Sequence, residues 1–171
     1  MVSSKQQCGP SHHTEMAPQR SLVSTHQDSA SSNHEECRVN QSEVLLAVNG
    51  TLMRGLELNP NMVAANATFV RETMTEPTYR LWTINDEHPA MLRVTDGTGV
   101  KVAVEVWSVP AEGLAGILLN EPPGLCIGKV RLEDGTIVLG VLGEPALVEK
   151  HREITAYGGW RSYMAQRPTA P

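Results

Sequence analysis

Aromatic side chains are scarce in this chain of 171 residues: three Trp, three Tyr and one Phe, none of them before Phe69. A segment without large apolar rings has little with which to nucleate a core, so the first third of the chain is a poor candidate for one. Cysteine is also rare. Cys8, Cys37 and Cys126 follow no recurring spacing, which excludes a disulfide scaffold and fits a reducing compartment. No apolar run approaches the ~18–20 residues of a membrane-spanning helix, so no membrane partner is expected. Charge is modest, and a formal net charge of −5 argues against a general nucleic-acid binder. The first residues, MVSSKQQCGPSHHTEM, show no basic stretch followed by an apolar one. A cytoplasmic location is the expectation. There is no GxxxxGK[ST] phosphate loop and no Gly-x-Ser-x-Gly elbow.

What is present divides the chain in two. Of the first 43 residues, 22 are Ser, Thr, His, Gln or Asn. Such a stretch cannot bury enough apolar surface to offset the entropy of ordering it. Residues 1–43 are therefore expected to be a disordered tail, 44–166 one folded domain and 167–171 a disordered end. Four of the six His (His12, His13, His26 and His34) fall in the tail with Cys8 and Cys37. Their spacing matches no zinc-site pattern, and neither a metal nor a cofactor is expected.

Within the domain, Glu43–Val48 reads as a buried strand ending at the turn Asn49-Gly50. Ala67–Met74 and Tyr79–Ile84 read as strands broken by Glu76-Pro77. Met91–Val94 is a short strand. Val100–Val109 alternates, with Val100, Val102, Val104 and Val106 on one face and Lys101, Ala103, Glu105 and Trp107 on the other. Val130/Leu132 and Ile137/Leu139 flank Asp134-Gly135, a hairpin signal with a two-residue turn. Ala111–Asn120 has helical spacing and stops before Pro122-Pro123. Trp160–Gln166 reads as a short terminal helix. Many strands and few helices predict an α+β fold, a small curled antiparallel sheet or barrel with helices at its edge.

Three clusters can carry chemistry. Asn49-Gly50-Thr51-Leu52-Met53-Arg54-Gly55 follows the first strand. Successive N–H groups in such a turn form an anion-binding concavity, Thr51 adds a hydroxyl and Arg54 a charge. An ordinary strand-to-loop turn is the competing reading. Glu121 lies between an apolar helix and two prolines, and a carboxyl against an apolar wall suits acid/base work near neutral pH. The competing reading is an exposed helix-end Glu. In Ile154–Tyr163, Tyr157 is a candidate for contact with a polar ligand, although such aromatic clusters also simply pack a terminus onto a sheet. His88, before Pro89, and His151 read as solvated loop residues.

The run Val48-Asn49-Gly50-Thr51-Leu52-Met53-Arg54-Gly55 resembles the YGTL/YGSL signature of the γ-glutamylcyclotransferase-like superfamily. Gly55-Leu56-Glu57-Leu58-Asn59, Pro77–Leu81, Val104–Trp107, Gly124–Gly128 and Ile154–Arg161 look closer to the C-terminal domain of allophanate hydrolases, in the same superfamily. The resemblance implies that Gly50, Thr51 and Leu52 hold substrate through backbone N–H groups. It also implies that Glu121 moves the proton of an amine that attacks a γ-carbonyl, giving 5-oxoproline and a free amine. Asn49 stands where the signature has Tyr, and Leu52 near where allophanate hydrolase domains carry a His. The expected function is a small acyltransferase- or lyase-type enzyme acting on a γ-glutamyl or related small amide. Two alternatives stand beside it: a stand-alone relative of the allophanate hydrolase domain acting on a carbamate-like product, and a non-catalytic binding module. The expected partners are the small-molecule substrate and a second copy of the chain or an amidase.

Overall fold

The computed structural model describes residues 43–167. The expected tail over 1–43, with its His and Cys, and the expected end over 167–171 lie almost wholly outside them.

Strand β1 (Glu43–Val48) leads into helix α1 (Asn59–Ala64). Strands β2 (Thr68–Met74), β3 (Tyr79–Ile84), β4 (His88–Arg93) and β5 (Ala103–Pro110) follow. Helix α2 (Ala111–Leu119) is succeeded by β6 (Leu125–Arg131) and β7 (Ile137–Gly143). The chain closes with α3 (Pro145–Val148), β8 (Arg152–Glu153), a 3-10 turn (Thr155–Tyr157) and α4 (Trp160–Gln166). Among the described residues no helix is long and apolar enough to cross a membrane.

The strands form a five-stranded sheet, β2-β5-β1-β7-β6, and a three-stranded one, β4-β3-β8. The architecture is the expected α+β, with two open sheets rather than a closed barrel. The larger sheet is mixed, because β1 runs antiparallel to β5 and parallel to β7. β1 is its central strand, so its last residues, Leu46, Ala47 and Val48, are fully buried. The loop that leaves its carboxyl end is thereby fixed by strands on both sides.

Core side chains cover both faces of β5. Val104 and Val106 pack with Tyr79, Leu81, Ile154, Trp160 and Tyr163. Trp107 packs with Leu46, Val48, Met53, Met62 and Ile117 on the opposite side. The alternation of this strand separates two cores, not a core from solvent. It starts at Ala103 rather than Val100, which makes only an isolated bridge to Tyr79.

The β6–β7 hairpin is present, but its turn is longer than expected. The Leu132 N–H donates to the Thr136 carbonyl, and Gly135 N–H to that of Leu132. Glu133, Asp134 and Gly135 thus form a three-residue loop, with Gly135 at φ +85°. A type I turn closed by a left-handed residue has this geometry and needs a Gly there.

Candidate functional site

Asn49, Gly50, Thr51 and Leu52 continue from the end of β1. Asn49 is buried, and its Nδ2 donates to the Val141 carbonyl at 2.9 Å, which ties the loop to β7. Gly50 lies against the ring of Pro89: a Cβ here would stand 2.5 Å from Pro89 Cγ. Only a residue without a side chain permits that approach. The Gly50 carbonyl accepts from Met53 N–H, and the Thr51 and Leu52 carbonyls accept from Leu58 N–H and Asn59 Nδ2. The N–H groups of Gly50, Thr51 and Leu52 donate to no acceptor among the described residues. The turn therefore spends its carbonyls on its own fold and keeps three successive donors free.

Glu121 reaches the same place from the other side. Helix α2 is held on the sheet by Ile117, and its C-terminal Asn120 caps back onto the Gly116 carbonyl. Beyond it Glu121 N–H still donates to Leu118, and the Pro122–Leu125 turn starts β6. Val48, Asn49, Gly50, Thr51, Leu52, His88, Pro89, Glu121, Leu125 and Val141 line one pocket. Its enclosed space is about 10 Å³, room for about one water, and it opens directly to solvent, so a ligand is met at its mouth.

The carboxyl is unusual within it. Glu121 Oε1 is buried without a hydrogen-bond partner among the described residues. Burial disfavours the charged form and pushes the carboxyl up to about 7. Such a group exists in both protonation states near neutral pH, as a proton carrier requires.

The structure thus brings Gly50, Thr51, Leu52 and Glu121 together, and leaves Arg54 and Tyr157 off the pocket's lining. Arg54 turns instead to Glu105 on β5 and Glu72 on β2. Its N–H and Nε donate to Glu105 at 2.9 and 3.3 Å, and its guanidinium lies 3.5 Å over the Phe69 ring. Tyr157 stacks edge-on against Tyr163, with ring centroids 5.2 Å apart. It packs against the core of Trp160 and Ile154, the bland alternative for that cluster.

Two residues escaped the sequence reading. His88 is not solvated: it opens β4, is 9% exposed and lines the pocket. His-Pro reads as a loop, but β4 is an edge strand, and Pro89 at its start forfeits no needed ladder bond. Glu105 is fully buried, and signalled itself only as the one acid in a run of valines. Among the described residues no group of three or more His, Cys, Asp or Glu stands close enough to hold a metal.

The allophanate hydrolase C-terminal domain model matches residues 44–165. The chain belongs to that family. Its fold is the γ-glutamylcyclotransferase-like one. A solved structure of a uropathogenic E. coli-specific protein is 56% identical, with a TM-score of 0.71 over 74% of this chain and 99% of that one. Kluyveromyces lactis allophanate hydrolase is 32% identical, with a TM-score of 0.67 over 72% of this chain and 21% of that one. Urea amidolyase of Saccharomyces cerevisiae is 32% identical over 129 residues, 72% of this chain. The family's domain is thus a small part of these larger relatives: the chain spans 7% of the urea amidolyase.

Proposed function

We propose that the chain is a small enzyme in which Glu121 is the acid/base and the Gly50–Leu52 turn holds an acyl or carboxylate oxygen. The substrate is a γ-glutamyl or related small amide. The observation that carries this reading is a single pocket holding a buried carboxyl without a partner and three free backbone donors. In the first step Glu121 carboxylate takes a proton from the substrate's α-ammonium, and the amine attacks the γ-carbonyl. The turn's N–H groups face the oxygen on which charge develops. The C–N bond to the leaving amine then breaks as that nitrogen takes the proton from Glu121, and the ring nitrogen passes its own surplus proton to the regenerated Glu121 carboxylate and from there to the released amine, giving 5-oxoproline and a free amine as its ammonium. The same carboxyl serves each of these transfers, which suits a group near 7. Three unpatterned cysteines favour cytoplasmic work.

A second reading follows from the family. Allophanate hydrolase and urea amidolyase, by name, act in urea-derived amide chemistry, and an N-carboxylated product of such an amidase would lose CO₂ if its nitrogen were protonated as the C–N bond broke. Protonated Glu121 could supply that proton. This reading makes an amidase the natural partner.

The experiment is a comparison of wild type with Glu121→Gln on both chemistries. Release of 5-oxoproline from γ-glutamyl amines, lost in the variant, supports the first reading. Faster CO₂ release from the amidase product, with no 5-oxoproline formed, selects the second. Turnover unchanged by the substitution removes Glu121 from either role.

A further inference from the structure

The pocket contains one side chain able to carry a positive charge, and neither the motif nor the proposed proton path uses it. No Lys or Arg is among the lining residues. His88 is, and it is nine-tenths buried. Its backbone is held twice: by pairing with Ile84 across the β3–β4 ladder, and by the contact of Pro89 with Gly50. Its Nδ1 lies 3.3 Å from the Pro89 carbonyl. A carbonyl only accepts, so Nδ1 carries the hydrogen, and Nε2 is the free nitrogen of the ring. Nε2 has no partner among the described residues.

Thr51 and His88 also line an adjoining groove with Glu57, Leu58, Glu87 and Pro122. His88 therefore lines both the pocket and the groove beside it. The acidic groups around it are Glu121 in the pocket and Glu57 and Glu87 in the groove.

We propose that His88 is a specificity-determining residue that, with the free N–H groups of Gly50–Leu52, selects ligands bearing a small carboxylate over their neutral amides. This rests on the pocket being the substrate site. With Nδ1–H committed to Pro89, Nε2 can donate to a carboxylate only by gaining a proton. A carboxylate is therefore held by the imidazolium, and a neutral amide by the uncharged ring. A His serving only to pack β4 against the loop would show no such preference.

The test uses the full chain and defined probes: acetate and 5-oxoproline against acetamide and 5-oxoproline carboxamide. His ring ¹⁵N and ¹H resonances are followed by NMR in wild type and in Glu121→Gln, which removes the other proton acceptor of the pocket. The expected result is that the carboxylates, and not the amides, shift His88 Nε2 to its protonated position in both proteins. Carboxylate affinity should fall about tenfold or more in His88→Phe, the worth of a charge-assisted hydrogen bond, with amide affinity changed less than about twofold. His88→Gln, which keeps a neutral donor, covers the case in which the Phe variant does not fold and should lose part of that preference. The proposal is overturned if the carboxylates leave the His88 ring unmoved, if carboxylate and amide weaken equally, or if neither carboxylate binds. Carboxylate binding at His88 without turnover would end the enzymatic reading and keep this one; turnover with an unaltered KM in His88→Gln would do the reverse.

Discussion

Two glutamates in this domain are withdrawn from water, and they are treated in opposite ways. Glu105, in the centre of β5, receives hydrogen bonds from Arg54 N–H and Nε, Arg161 Nη2 and Trp107 Nε1. Two guanidinium groups balance its charge, each half exposed where it meets solvent. Glu121 has one oxygen buried with no hydrogen-bond partner among the described residues. A buried carboxylate that is fully paired belongs to the architecture: it ties the loop after β1 and helix α4 to the sheet. An orphaned one costs stability without binding anything together, and persists where a proton has to be moved. Arg54 changes meaning in this light. Four residues from Gly50, it looks like part of a substrate loop, yet its charge is committed to Glu105.

The comparison breaks hardest at Glu121. Glu121→Gln should lower turnover about 10²–10⁴-fold, the usual contribution of a positioned acid/base, while leaving the fold intact by circular dichroism. Glu105→Gln should do the opposite. With two cationic partners facing a neutral amide, unfolding in urea should show a loss of about 3 kcal/mol. Equal behaviour of the two variants in both assays would erase the distinction between a structural and a functional carboxyl.

A pH experiment sharpens the same contrast. Glu121 has a folded value of about 7, above its ordinary 4.5. Between those values the folded state holds a proton that the unfolded chain has released, so stability falls as pH rises from about 4.5 and levels off above about 7. The pocket mouth admits water, and after that screening the expected loss is about 1–2 kcal/mol. Urea titrations at pH 5 and pH 8 should show it in wild type and not in Glu121→Gln, which should therefore be the more stable protein at pH 8. A wild-type profile identical to that of the variant would mean that Glu121 is solvated in solution.

Much of this arrangement was legible in the chain. The apolar run Glu43–Val48 ending in Asn49-Gly50, the helix stopped by Pro122-Pro123 and the terminal helix at Trp160 are local signals, and each element stands where its residues place it. The meeting of Gly50–Leu52 with Glu121 followed from the family resemblance and is borne by the parallel pairing of β1 with β7. Glu105 and His88 were hidden because their surroundings are remote in sequence. The cationic partners of Glu105 lie 51 and 56 residues away, and alternation along β5 says which residues share a face, not what covers it. His88 is buried by the loop after β1 and by the turn carrying Glu121, neither of which a His-Pro pair discloses.

The smallest effect concerns how Glu105 is paired rather than whether it is. Arg161, on α4, donates through Nη2 to both Glu105 Oε1 and the Arg54 carbonyl. Lysine keeps the charge but is a point donor on a flexible stem and cannot reproduce the planar fork. Arg161→Lys should therefore cost about 1 kcal/mol of stability in urea unfolding. Combined with Glu105→Gln it should cost less than the sum of the two, because the partners of one network are not independent. Additive losses would show that α4 is held to the sheet by Trp160 and Tyr163 alone, and that Glu105 is satisfied by the loop after β1 without help from the C-terminal helix.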